Sequence, residues 1–592
     1  MSKLNIDQQT VFRLFSDKKT DFLIPDYQRP YAWGETECQT LWEDIFFFAF
    51  PYDDNTSKNN CDKFNEDDEY FLGPLVFCKN GKKLEVIDGQ QRLTTLMLML
   101  RVFYEKFKNS PDKNSSSISN KIAKCIWKTD SYDNIIKDEL KIDSQVSTDN
   151  DKEEFLEILR SGEVKKEYKS RYANIFCYFQ NKIDEFINKN PGCCASLPAR
   201  LMDNCIFLPI EAENQDTALR IFSTLNDRGL PLSDSDIFKA QFYKFYTDKK
   251  EKDIFIDKWK KLETLCGNIF HPIKGTPMDE LFTRYMYYER AKIGIKLSTT
   301  EALRKFYEKN KYSLLKRDDT FENLIALADF WSDITNQSTD RFSNEVLRQL
   351  FILNYAPNGM WTYFVSVYFM HNRDEQGLLK DVEFSSFLKK IIAFIWGYAM
   401  VSPGVNALRT PVYAEMVNVV QNDPVEFSNH KFNRITLKNK IDNFEFLNGK
   451  PITKSMLAWW AFQKKEQSLL PLETTFDIEH IYAKNRQEKE HTLTNKKNLE
   501  LLGNKSLLER KINIPASDYR FGDKIRYYRG YVTSKEQFKE GTKIQELLDL
   551  AGPARKDPED SNCDFTEKDI LERNNKIING FLDFLRDNGL EE

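Results

Sequence analysis

The sequence predicts an α+β protein of several domains, mostly helical. Three observations carry that reading. The chain has 592 residues, too many for one hydrophobic core and enough for about three or four domains of ordinary size. Two stretches, around residues 70–107 and 476–504, join β-branched runs to turn signals and polar clusters. Between them, from about 250 to 430, apolar and aromatic residues recur at helical spacing with no chemical motif among them.

Composition narrows the class. Hydrophobic residues make up 41% and aromatics 14%, which argues for packed globular domains and against disorder. The net charge of -5 does not announce nucleic acid, so charge has to be read locally. Ten cysteines without a C-x-x-C pair fit neither a disulfide framework nor a zinc knuckle, and read as mostly buried thiols of a reducing cytosol. The first residues, Met1 to Asn5, lack an apolar core of signal-peptide length, and no run approaches the ~20 apolar residues of a membrane span. A cytoplasmic protein is expected.

In order, Val11, Leu14 and Phe15 fall at helical spacing, and Phe22-Leu23-Ile24 reads as a strand stopped by Pro25. Trp33 to Phe50 follows as a helix with Leu41, Ile45 and Phe48 on one face, and residues 51–69 as a polar, acidic loop. Tyr70 to Phe77 and Leu84 to Ile87 form a hairpin about Asn80-Gly81, which delivers Asp88 to its turn. The next helix fades at Lys108 to Pro111, and Ser115-Ser116-Ser117 reads as a flexible connector. Residues 118–200 read as a polar, lysine-rich helical set, and Cys205 to Ile210 as a strand. Thr217 to Leu225 reads as a helix closed at Asn226-Asp227-Arg228-Gly229; another begins with Ser233 or Asp234 as N-cap. Thr566 to Leu585 is an amphipathic helix that packs back on the C-terminal part. The expected domains are 1–245, with a helical insertion at about 105–200, then a helical coupling domain 246–435, then 436–592.

Two constellations carry chemistry. In Asp88-Gly89-Gln90-Gln91-Arg92, a carboxylate, two carboxamides and a guanidinium stand between strand and helix, with Thr94 and Thr95 behind them. A helix start offers free N–H groups and the positive dipole end, so these residue types suit a phosphate with its metal or water. In Phe476-Asp477-Ile478-Glu479-His480, alternation puts Asp477 and Glu479 on one strand face and His480 on the other unless the strand bends. Carboxylate, imidazole and the amides of Asn498, Asn504 and Asn513 are what one-metal phosphodiester cleavage uses. Residues 481–530 hold 12 Lys or Arg against 6 Asp or Glu, a local surplus suited to phosphate neutralisation.

Asp88 to Arg92 after a strand resembles the signature of the ParB/sulfiredoxin-like nucleotidase domain that forms the N-terminal half of GmrSD-type, modification-dependent (type IV) restriction enzymes. Ile24-Pro25-Asp26-Tyr27-Gln28-Arg29-Pro30-Tyr31-Ala32-Trp33 resembles that family's opening motif. Ala218 to Phe222, through Asn226 to Gly229 and on to Leu232 and Lys239, resembles its closing one. Three matches in order are far more specific than one. The resemblance implies catalysis by Asp88, Gln90, Gln91 and Arg92 on a nucleoside triphosphate (GTP, UTP or ATP), held by Gln28, Arg29, Asp88, Gln91, Arg92, Asn226 and Arg228.

The second stretch resembles the HNH (ββα-metal) nuclease domain of the same enzymes. By that resemblance His480 is the general base and Glu479 the acidic ligand of Mg²⁺ or Mn²⁺, with Asp477 able to share or take over. Asn498 braces the loop, Asn504 is the amide ligand and Asn513 its fallback. The chain departs from the wider group in having Glu-His for Asp-His, and Ala483-Lys484 where a proline is usual. The implied function is an NTP-dependent, modification-sensing DNA endonuclease of bacterial anti-phage defence. Its partner would be double-stranded, modified phage DNA, with a homodimer or a partner defence subunit compatible. One alternative is a phosphorothioate-sensing NTPase-nuclease of the same architecture; another is a nucleotide-gated DNA-binding protein with a degenerate nuclease.

Overall fold

The structure is a computed structural model and describes residues 5–592 apart from 54–57, 60–63, 82, 147–148, 214–216, 219–232, 295–298, 300, 403–407, 517–519, 533–534 and 553–563. It is an α+β protein of two compact units, Met1–Lys261 and Leu262–Glu592.

The first unit is built on a seven-stranded mixed sheet. Its strands are β1 (Asn5–Ile6), β2 (Gln9–Thr10), β3 (Asp21–Ile24), β4 (Tyr70–Asn80), β5 (Lys83–Asp88), β6 (Ile142–Ser144) and β7 (Cys205–Ala212). They lie in the order β1-β7-β4-β5-β3-β6, with β2 beside β1 on β7. The hairpin β4-β5 forms as expected, while β5, β3 and β6 run parallel. Parallel pairing of β5 and β3 places the end of one, Asp88, and the exit from the other, Pro25 onward, at the same edge of the sheet. Ligands bind outside the carboxyl ends of such strands.

Four helices matter to that edge. Helix α1 (Glu35–Ala49) follows the opening motif, α2 (Gln90–Phe107) leaves Asp88, α3 (Lys113–Ile126) follows it, and α4 (Arg171–Lys189) packs against α2. Helix α2 is apolar almost all round, and its residues from Leu93 to Phe103 are fully buried, which is why it forms the spine of this core. On the other sheet face a small cluster joins Tyr27, Val76, Ile87, Ala212, Ala218 and Ala240; Ala240 belongs to α5 (Asp234–Asp248), capped by Ser233.

Several expectations change. Ser115-Ser116-Ser117 is no flexible connector but the first turn of α3. The Asp112 carboxylate accepts from the Ser115 N–H at 2.7 Å and its hydroxyl at 2.8 Å, so cap chemistry outweighs serine's weak helix preference. Residues 118–200 are not purely helical, since Trp127–Thr129 pairs with Ile135–Leu140 and β6 extends the main sheet. The helix expected over Thr217 to Leu225 lies outside the described residues beyond Ala218.

In the second unit the expected helices form among the described residues, including α6 (Asp381–Val401). That helix is long and apolar enough by length and composition to cross a membrane, against the expectation that no such run exists; two thirds of it is buried inside the unit. Near its C-terminal end this unit carries an antiparallel hairpin, β8 (Phe476–His480) with β9 (Lys505–Glu509), pairing Glu479 with Ser506 and His480 with Lys505. Two helices complete its surroundings, α7 (Phe521–Arg529) and α8 (Glu567–Asp587). Helix α8 packs as expected on the turn before β9, where Arg573 donates to the Leu502, Gly503 and Lys505 carbonyls at 2.8 Å each.

Candidate functional site

At the first site the glutamines build the walls. Gln28 donates to the Val86 and Ile87 carbonyls at 3.3 and 3.0 Å. Gln91 accepts from the Ala32 and Trp33 N–H groups at 2.7 and 3.2 Å, and Gln90 donates to the Arg29 carbonyl at 3.2 Å. Tyr31 shares a 2.6 Å bond with Thr95, whose hydroxyl donates to the Gln91 carbonyl. The opening motif is thereby stapled to Asp88-Gly89-Gln90-Gln91-Arg92 by side chains that are themselves buried. Buried polar groups fully satisfied in this way fix one geometry.

Arg92 is also engaged. Strand β4 runs past the end of β5, with a register shift against β7 between Phe71 and Gly73; Arg92 donates to the carbonyls of Leu72 and Pro74, the latter at 3.0 Å. Gly73 has φ +117, and a Cβ there would meet the guanidinium at 1.9 Å. Gly89 sits at φ +90 as the residue before α2, and a Cβ there would meet Leu75 at 2.1 Å. Gly89→Ala is expected to destabilise the protein by about 1–3 kcal/mol through left-handed strain, read as a lowered thermal midpoint.

What remains for a ligand is Asp88 and the uncapped first turn of α2, with half-buried Arg29 close enough to act on the Asp88 carboxyl. Burial pushes the Asp88 carboxyl above its ordinary value, against the Arg92 guanidinium, the Gly89 N–H and Arg29. Burial also lowers the Arg92 pKa, opposed by Asp88. A carboxylate between two guanidinium groups at an uncapped helix start fits a phosphate and the water beside it. Asn226 and Arg228 lie outside the described residues. Asp26, which sequence reasoning passed over, accepts from Tyr243 at 2.9 Å and pairs with Lys252 at 2.7 Å.

The second site is arranged differently from its expectation. Glu479 is 3% exposed, and its Oε1 accepts from the Lys524 ammonium at 2.6 Å and the Tyr528 hydroxyl at 2.9 Å. Burial raises its pKa, opposed first by Lys524. Asp477 forms an ion pair with Arg510 at 3.1 Å. Asn504 is fully buried; its Oδ1 accepts from the Tyr482 N–H at 2.7 Å, and its Nδ2 donates to the Tyr482 and Leu499 carbonyls. Asn504 thus holds the strand exit after His480. Asn498 donates to Glu567 at 2.7 Å, and Asn513 is half-buried on the helix after β9.

His480 lies on the opposite strand face, its Nε2 buried without a hydrogen-bond partner among the described residues and 3.8 Å from Glu500. Glu500, with no motif to mark it, is held at about 2 by the His480 imidazole and the Lys505 ammonium. That is below the ordinary 4.5, so its contribution to stability is whole above pH 4.5 and fades as pH falls toward 2. Acid unfolding of Glu500→Gln should begin from a less stable protein yet lose less between those values, read by urea titrations at each pH.

These donors do not make a divalent-cation site as arranged. The Glu479 carboxylate holds an ammonium, Asp477 a guanidinium, and Asn504 the backbone, and among the described residues no three His, Cys, Asp or Glu side chains converge. The basic surplus is also partly spent: Arg486, Lys505, Arg510, Arg520 and Lys524 each pair with a carboxylate.

Residues 11–243 match the family model of the GmrSD restriction endonuclease N-terminal domain, a range that takes in strands β3 to β7, the opening motif and Asp88 to Arg92. No curated protein matches the chain. Through that stretch, the chain is similar to the GmrSD-type restriction endonucleases.

Proposed function

We infer that the chain is an NTP-dependent, modification-sensing DNA endonuclease of bacterial anti-phage defence, acting in the cytoplasm. The observation that carries it is the pairing, on one polypeptide, of the restriction-family domain stapled around Asp88 with a hairpin that ends on His480. At the first site the α2 amides and Arg29 hold the terminal phosphate, and Asp88 orients the attacking water. Gln28, Gln90 and Gln91 act through the loop they fix. At the second, His480 takes the proton of the water that attacks phosphorus while the leaving oxygen departs and is protonated from solvent. Magnesium or manganese is the cofactor to test for this step. The direct experiment is cleavage of modified and unmodified duplexes with and without nucleotide.

One observation favours a second reading, a nucleotide-gated DNA-binding protein with a degenerate nuclease: Lys524 holds Glu479 where the resemblance expects a metal. Nucleotide-sensitive DNA binding without nicking of any DNA in magnesium or manganese would select it.

A further inference from the structure

The far end of the β8–β9 hairpin, away from His480, opens on a cavity of about 380 Å³ lined by Thr474, Thr475, Glu509, Arg510, Lys511 and Lys543 among others. Its donors are in surplus. Lys511 and Lys543 are exposed and have no carboxylate within ion-pair distance among the described residues, and the hydroxyls of Thr474 and Thr475 have no hydrogen-bond partner there. The inward carboxylate is already satisfied: buried Glu509 accepts from the Thr542 hydroxyl at 2.6 Å and the Lys543 N–H at 2.7 Å. Arg510 is turned to Asp477 at 3.1 Å, with the Lys454 ammonium close by, donating to the Phe476 carbonyl at 2.7 Å. Exposed Glu473 is the one acidic side chain on the rim without a partner among the described residues.

We propose that this cavity is a backbone-phosphate subsite for a nucleic-acid strand, contacted by Lys511 and Lys543 with the Thr474 and Thr475 hydroxyls. It rests on the nuclease reading and adds to it where the strand is held. Thr475 and His480 are five residues apart on an extended strand, roughly 16 Å, so a strand crossing the hairpin reaches the cavity a few nucleotides from the scissile bond. Two mobile ammonium groups are point charges without the fork of arginine, which suits contact with a polymer backbone without reading sequence.

The test is binding of a fluorescent duplex to the full chain in EDTA, followed across a salt series. Each phosphate contact contributes about 0.9 to the slope of log K against log salt, so Lys511→Gln/Lys543→Gln should make the slope shallower by about 2 and weaken all sequences alike. The control Lys380→Gln/Lys568→Gln removes the same charge from exposed positions elsewhere in the unit and should leave the slope unchanged. An unchanged slope in the first variant, or an equal loss in the control, overturns the subsite while leaving the nuclease reading intact. No salt-dependent binding by the unsubstituted protein overturns both. Inorganic phosphate at matched ionic strength should show no saturable calorimetric binding; saturable binding that the first variant loses would reassign the cavity to a free anion and overturn the proposal.

Discussion

His480→Ala is expected to lower DNA strand cleavage by about 10²- to 10⁴-fold, the range a positioned general base contributes, while nucleotide turnover stays at the unsubstituted level. The imidazole closes β8, and its backbone is fixed on three sides: paired to Lys505 across the hairpin, followed by the Tyr482 backbone that Asn504 grips, and bonded through its own carbonyl to Lys524. Its side chain makes one loose contact, with Glu500 at 3.8 Å, and Nε2 finds no hydrogen-bond partner among the described residues. Alanine should therefore remove chemistry with little change in fold, and circular dichroism with thermal melting checks that. Cleavage that survives the substitution would remove His480 from catalysis.

Asp88→Ala is expected to abolish nucleotide turnover, by about 100-fold or more if Asp88 orients the water. Steady-state phosphate release measures it. The comparison variant is Gln91→Ala, which should lower turnover and also destabilise the unit by about 1–3 kcal/mol, because a buried and a half-buried N–H group lose their acceptor. Asp88 makes no such staple, so its substitution should cost turnover without that loss. Equal destabilisation by both would mean that Asp88 is a structural residue like its glutamine neighbours.

The sequence makes the first site's location legible and its division of labour illegible. Hairpin, turn and helix around Asp88 follow from periodicity, from Asn80-Gly81 and from Gly89, all of which are local. That Gln28 reaches the Val86 and Ile87 carbonyls while Gln90 and Gln91 reach the backbone of residues 29–33 depends on β5 and β3 lying side by side and parallel, a long-range pairing without a local signal. The same holds for Arg92, whose partners exist only because β4 outruns β5. The register of β8 was readable from alternation, and it separates Glu479 from His480 as alternation requires. Lys524 and Tyr528, which hold Glu479, come from a helix more than forty residues on. The sequence assigns bracing to Asn498 and the metal to Asn504; burial and hydrogen bonding instead put Asn504 on the Tyr482 and Leu499 backbone and Asn498 on Glu567. At Ser115 the error was local, since Asp112 already supplied the cap.

The central claim is that a nucleotide site and a DNA-cutting site work together in one chain. A panel of phage genomes differing only in DNA modification, digested by the full-length protein in magnesium or manganese with each triphosphate in turn, tests it most directly. Cleavage confined to modified genomes, dependent on one triphosphate, lost in His480→Ala and uncoupled from nucleotide in Asp88→Ala is the predicted result. Cleavage indifferent to both modification and nucleotide, or no cleavage of any genome, would contradict it.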